Sequence, residues 1–144
     1  MGAAERDGMT LVTVVLGSGW GNVGKQRKWT DTKNMLEFGF NHYKYYDICA
    51  EGDYITTIPV DNSYRGSIVV NIGKSITLPM NENERVNILV ELKLPDSVAA
   101  PVEIGDEVGL LIFKLDDGSI LECSPLIAEN AVIKKNYQQA YECL

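Results

Sequence analysis

Residues 107–133 read EVGLLIFKLDDGSILECSPLIAENAVI, two apolar-rich runs flanking Asp116-Asp117-Gly118. Alternation of apolar and polar positions marks half-buried strands, because successive side chains point to opposite faces. An Asp-Gly between two such runs predicts a hairpin, since Gly accepts the positive φ of a tight turn. Upstream the same texture repeats. YITTIPV (54–60), SIVVNIG (67–73), SITLPM (75–80) and RVNILVELKL (85–94) are β-rich runs. The separators include DNSYRG, NENE and a turn at Gly105-Asp106. Short strands at this rhythm predict an antiparallel, β-sandwich-like or open-barrel domain. It is expected over residues 48–144, with its boundary in ICAEGD (48–53).

Residues 1–47 have another texture. MTLVTVVL (9–16), between Gly8 and Gly17, predicts a strand buried on both faces, because it is apolar almost without a break. A glycine-rich loop, GSGWGNVG (17–24), and a basic run, KQRK (25–28), lead to an amphipathic helix expected over 30–46. Thr30 or Asp31 is the expected cap, its side-chain oxygen accepting first-turn N–H groups. Trp29, Leu36, Phe40 and Tyr43, with Met35 beside them, form one apolar stripe at helical spacing. Gly39 interrupts the stripe and predicts close packing of the helix backbone there. In the tail, Tyr137, Tyr141 and Leu144 recur at helical spacing in a segment too short and polar to anchor the protein alone.

The chain has 144 residues and 15.9 kDa, about one domain's worth. No apolar run approaches the roughly 20 residues of a membrane-spanning helix. Thirteen Lys plus Arg against twenty Asp plus Glu give a net charge of −7. Nucleic-acid binding needs a basic footprint, and this balance argues against it. Cys49, Cys123 and Cys143 form no zinc spacing and read most simply as buried or incidental thiols, with one pair possible in an oxidising compartment. The start, MGAAERD, has neither the apolar core of a secretion signal nor a myristoylation motif.

Three features carry potential chemistry. Gly19, Gly21 and Gly24 spell GxGxxG, and Gly19, Gly24 and Lys25 spell GxxxxGK. Such glycines let backbone N–H groups approach a phosphate. Gln26 stands where a phosphate loop needs Ser or Thr, and the helix is expected to open several residues too late. A flexible surface loop is the favoured reading. His42, the only histidine, lies in FNHYKYY and reads as a half-buried polar helix residue. Asp61, Glu82, Glu84, Asp106, Asp116 and Asp117 read as solvated turn residues. The sequence contains no SxxK, SxN, KTG or GxSxG.

In order, RDGMTLVTVVLG (6–17), KWTDTKNMLEFGF (28–40) and the β-rich remainder ending DGSILECSPLIAENAV resemble the C-terminal part of low-molecular-mass penicillin-binding proteins. These are serine-type D-Ala-D-Ala carboxypeptidases that trim peptidoglycan stem peptides. The resemblance implies that residues 1–47 are a remnant of the catalytic domain, with strand 9–16 its last strand and helix 30–46 its closing helix. Residues 48–144 are then the family's all-β C-terminal domain, a spacer and protein-contact module. Lys28 stands where the family commonly has arginine. The family's SxxK, SxN and KTG are absent, so no catalytic, cofactor-binding or metal-binding residue is assigned and the chain is expected to be non-catalytic.

The resemblance implies a place in the cell envelope, close to peptidoglycan. The chain is expected to be a piece of a longer protein: a deliberate cut, a split gene or a mis-called start. One alternative is a complementing half of a split carboxypeptidase, with an upstream catalytic fragment as partner. Another is a nucleotide-binding module using Gly19–Lys25. An uncovered strand edge and helix face would favour association. A homodimer or exchanged assembly through residues 9–46 is therefore expected, the other outcome being refolding of that segment onto the β domain.

Overall fold

A computed structural model of the chain describes residues 1–64 and 66–136. The sequence readings at Tyr137, Tyr141, Cys143 and Leu144 lie outside the described residues. The chain divides into two compact units, Met1–Tyr46 with Leu78–Val86, and Asp47–Thr77 with Asn87–Leu144.

The first unit starts with a hairpin that sequence reading missed. β1 (Gly2–Arg6) and β2 (Met9–Thr13) pair antiparallel with Arg6 opposite Met9. Only Asp7 and Gly8 turn the chain, at φ 52 and 78. Two consecutive positive φ values define the type I′ turn that Asp-Gly favours. β2 ends at Thr13 rather than at residue 16. It is also not buried on both faces: Met9 and Thr13 are buried, while Thr10 and Val12 between them are exposed. The strand alternates, and only one of its faces is covered.

Helix α1 (Gly21–His42) opens nine residues before the expected 30. Lys25, Gln26, Arg27 and Lys28 are strong helix formers, and they propagate the helix back to the glycines. The N-cap is Trp20, which makes no side-chain cap hydrogen bond. Thr30 is therefore no cap; its hydroxyl donates to Gln26 O at 3.1 Å inside the helix. The helix stops at His42, because the tyrosines that follow belong to β3 (Lys44–Cys49). Aromatic residues suit a pleated surface better than a helix end. Gly39 does mark close packing: a Cβ there would lie 2.5 Å from Leu11 Cδ1 on β2.

Beyond β3 come β4 (Tyr54–Asp61), β5 (Ser67–Ile72), β6 (Ile76–Met80), the short helix α2 (Glu82–Val86), β7 (Leu89–Lys93), β8 (Val98–Ala99), β9 (Glu107–Lys114) and β10 (Ile120–Ala128). β3 pairs with β6. The NENE separator contains α2, closed by a reciprocal cap. Asn81 Oδ1 accepts from Glu84 N at 2.9 Å, and Glu84 Oε2 accepts from Asn81 N at 3.0 Å.

The second unit holds a six-stranded sheet of order β7-β9-β10-β5-β4-β8. All its pairs are antiparallel except β4–β8, so the molecule is mainly β as expected. The β9–β10 hairpin closes where predicted: Leu115 N donates to Ser119 O and Gly118 N to Leu115 O, both at 2.9 Å. Ile68, Val70 and Leu126 are fully buried, with Ile58, Val60, Ile72, Leu111, Ile112 and Phe113 nearly so. Each such side chain contributes about 1.5–3 kcal/mol of burial.

Candidate functional site

The first unit carries the most open apolar surface. A cleft of about 340 Å³ is lined by all five residues of β2, by Met35, Gly39 and Tyr43 of the α1 side, and by Tyr45 and Pro79. Five consecutive strand residues line one cleft only when it runs along the strand's edge, because alternate side chains point to opposite faces. β2 is hydrogen-bonded to β1 alone. The cleft therefore follows an unpaired row of backbone N–H and C=O groups, the arrangement that accepts an added strand. Val12, Val14, Trp20 and Trp29 of the same unit are exposed.

The stripe expected on the helix is present in part. Leu36, Phe40 and Tyr43 are half-buried, whereas Met35 is 49% and Trp29 77% exposed. Arg6 fixes the hairpin to this helix. Its guanidinium donates to both carboxylate oxygens of Glu37, at 2.9 and 3.2 Å, and lies 4.6 Å above the Phe40 ring. The hydrogen bonds from Arg6 hold the Glu37 carboxyl below its ordinary pKa, and the charge of Arg6 adds to this.

The glycine loop behaves differently from expectation in one respect. α1 opens directly on Gly21, so the distance of the helix from the glycines no longer argues against a phosphate cradle. The topology still does. A dinucleotide fold needs a parallel strand–helix–strand return, and here an antiparallel hairpin precedes the helix. Gly24 packs against the Gly19 carbonyl, so the loop is folded on its own backbone. Lys25 and Lys28 line a separate cleft of about 240 Å³ with Met1, Gly2, Val15, Trp29 and Thr32.

His42 is exposed rather than half-buried. Its ring stacks on Phe38 at 4.0 Å, and Nδ1 lies 2.8 Å from Phe38 O. Three acidic turn residues have structural work in the second unit. Asp61 accepts from Ser97 Oγ at 2.6 Å, Asp106 from Glu103 N at 2.8 Å and Asp117 from Ser119 N at 2.7 Å. Glu82 in the first unit accepts from the Tyr46 hydroxyl at 2.8 Å. Among the described residues no three His, Cys, Asp or Glu side chains converge to hold a metal ion.

Cys49 is half-buried and Cys123 exposed, and both are free thiols. Burial pushes the Cys49 thiol above its ordinary pKa, away from the reactive thiolate. Ser124 is the fully buried serine. Its hydroxyl accepts from Lys74 N at 3.1 Å and donates to Lys74 O at 2.9 Å, so it ties two segments together.

Sequence reading expected an uncovered strand edge within residues 9–46 but missed β1, which pairs with the other edge of β2. The signal was present: Asp7-Gly8 stands between GAAER and MTLVT as Asp117-Gly118 stands between β9 and β10.

These features define a class, a mainly β domain joined to a hairpin–helix unit that presents an unpaired strand. Residues 43–134 match the family described as the penicillin-binding protein 5 C-terminal domain, and the chain belongs to that family. It is 26% identical over 136 residues to the D-alanyl-D-alanine carboxypeptidase DacF of Bacillus subtilis (strain 168). That match covers 94% of this chain and 34% of the relative, so the chain spans about a third of its length. Solved structures share the fold. The D-alanyl-D-alanine carboxypeptidase DacD of Francisella tularensis matches with a TM-score of 0.62 at 20% identity, over 92% of this chain and 32% of that one. A peptidoglycan synthesis regulatory factor, PBP3, of Streptococcus pneumoniae gives 0.62 at 18%, over 90% and 38%. Penicillin-binding protein 5 of Haemophilus influenzae gives 0.60 at 17%, over 76% and 32%. Among the described residues no helix is long and apolar enough to cross a membrane.

Proposed function

We propose that this chain is the non-catalytic C-terminal portion of a serine-type D-Ala-D-Ala carboxypeptidase, acting at the cell wall as a spacer and protein-contact module. The observation that carries the reading is the lack of SxxK, SxN and KTG anywhere in a sequence that belongs to the penicillin-binding protein 5 C-terminal family. In that chemistry a serine attacks the peptide and a lysine assists proton transfer. Neither has a counterpart here.

The open β2 edge favours a second, compatible reading, in which residues 9–46 dock a separate catalytic fragment by strand addition. A second copy of the chain is the rival occupant of that edge. Fluorescent penicillin tests both readings. The chain alone is expected to remain unlabelled. Covalent labelling of this chain would overturn the non-catalytic reading. Mixed with the upstream two thirds of a D-alanyl-D-alanine carboxypeptidase, it is expected to co-elute with that fragment and raise the fragment's labelling. Light scattering that shows only self-association through residues 9–46 would assign the edge to a second copy instead.

A further inference from the structure

The six-stranded sheet of the second unit has two ends, and they are built differently. At one end β8 is two residues long, Val98–Ala99, and short edge strands leave little to pair with. At the other end β7 runs for five residues, Leu89–Lys93, and is hydrogen-bonded only to β9. Leu89, Val90 and Leu92 on it are 54%, 57% and 49% exposed. Among the described residues this is the longer edge of the sheet, apolar at three of its five positions.

We propose that β7 is a self-pairing edge: two copies of the chain join antiparallel through it about a two-fold axis at Leu92, with Glu91 of each opposite Lys93 of the other. The register follows from the pleat. Residues whose N–H and C=O point outward alternate along the strand, so an isologous antiparallel pair must match residues of like parity. That leaves few registers. A two-fold axis at Glu91 sets Glu91 against the partner's Glu91. An axis at Lys93 sets Lys93 against the partner's Lys93. Like charges directly opposite are destabilising. An axis at Val90 sets Glu91 against the partner's Leu89 and gives Lys93 no cross-strand charge beyond Glu91 of its own strand, 3.8 Å away.

The axis at Leu92 sets Glu91 against the partner's Lys93 twice. It also stacks Leu92 on the partner's Leu92 and Val90 on the partner's Leu94. Opposite charges then share one face of the extended sheet and apolar pairs the other. Glu91 is already held on its inner side by Lys114 of β9. Lys93 of its own strand also lies 3.8 Å from Glu91. A carboxylate has lone pairs for more than one cation, so the partner's Lys93 joins this cluster across the seam. Docking this way joins two six-stranded sheets into one.

The test is a charge-swap cycle on the full chain, read by sedimentation velocity over a concentration series. The wild-type chain is expected to show a monomer–dimer equilibrium. Glu91→Lys and Lys93→Glu each oppose like charges at both sites and are expected to weaken the dimer about tenfold or more. Mixed together, the two variants restore both opposite pairs and are expected to form a heterodimer. Circular dichroism melts check that each variant is folded. Leu92→Pro supplies a second break, because proline brings no N–H to the edge. A wild-type chain that stays monomeric at several hundred times the concentration of a micromolar dimer would overturn the proposal. A dimer indifferent to all three substitutions would also overturn it and assign association to residues 9–46. Weakening without rescue on mixing would overturn the assigned register.

Discussion

The two units handle apolar surface in contrasting ways. The second unit has an enclosed core and leaves its β7 edge open: Ile68, Val70, Leu126 and Ala128 are wholly out of contact with water, and the sheet strands on either side of them are paired. The first unit displays its apolar surface. Met9 and Met80 are its buried hydrophobic side chains, while Val12, Val14, Leu16, Trp20 and Trp29 are more than half exposed. Both tryptophans of the chain lie in this unit. Large exposed apolar patches on a folded chain mark surfaces that meet something else. A closed unit specifies its own structure, whereas an open one leaves part of that specification to its partner.

Core truncation is the sharpest way to break this contrast. Leu126→Ala removes a fully buried side chain between β9 and β5 and is expected to cost roughly 3–5 kcal/mol. Trp29→Ala removes a larger side chain that is 77% exposed and is expected to change stability by no more than about 0.5 kcal/mol. Urea unfolding followed by far-ultraviolet circular dichroism checks both. A Trp29→Ala loss as large as that of Leu126→Ala would show that the first unit is closed after all. Two separate transitions, the earlier one absent from a chain beginning at residue 47, would sharpen the contrast instead.

A finer comparison uses two glycines at close approaches. Gly109 on β9 faces the Lys93 backbone carbonyl, which cannot move without disturbing the β7–β9 ladder. Gly109→Ala is expected to cost about 1–3 kcal/mol by overpacking. Gly39 faces the end of the Leu11 side chain, which can rotate away. Alanine also favours the helix by about 1 kcal/mol over glycine, so Gly39→Ala is expected to be close to neutral. Urea midpoints of the two variants check this. Equal losses would mean that the helix seats on β2 as rigidly as one sheet strand on another.

The same contrast explains what was legible in the sequence. Strands β4, β6 and β10 were readable because each alternates against a core that the chain itself supplies, and β5 and β9 because each is an almost unbroken apolar run. The β9–β10 turn was readable for the same reason: Asp117-Gly118 lies between two long apolar runs. Asp7-Gly8 carries an equal turn signal, but GAAER offers only alanines to alternate, so β1 passed unseen. β8 is two residues long and leaves no pattern. The start of α1 was hidden because a basic run has no apolar period, although its residues favour helix. The reading of β2 as buried on both faces assumed a cover that this chain does not provide. Local pattern reports which residues prefer a face, and it is silent on whether anything lies against that face. The missing motifs were legible without ambiguity, since SxxK, SxN and KTG are local strings.

The smallest effect concerns the ion pair that joins β1 to α1. Arg6 holds Glu37 through two hydrogen bonds, which lower the carboxyl pKa in the folded state and raise that of the guanidinium. Arg6 stays charged over any accessible pH, so only Glu37 titrates. A depressed folded-state pKa gives a contribution that is complete above the unfolded value of about 4.3 and is lost as pH falls through the folded value. Both side chains are nearly half exposed, so the contribution is small and screened by salt. Glu37→Gln is therefore expected to lower the thermal midpoint of the first unit slightly at pH 7 in low salt. The difference from wild type is expected to shrink at pH 3 and again at pH 7 in 1 M salt. The acidic limb separates the charge from mere packing, because glutamine keeps the size and polarity of the side chain. A difference that widened in acid would show that the folded-state pKa of Glu37 is raised rather than lowered, and that Arg6 does not hold its carboxylate in solution.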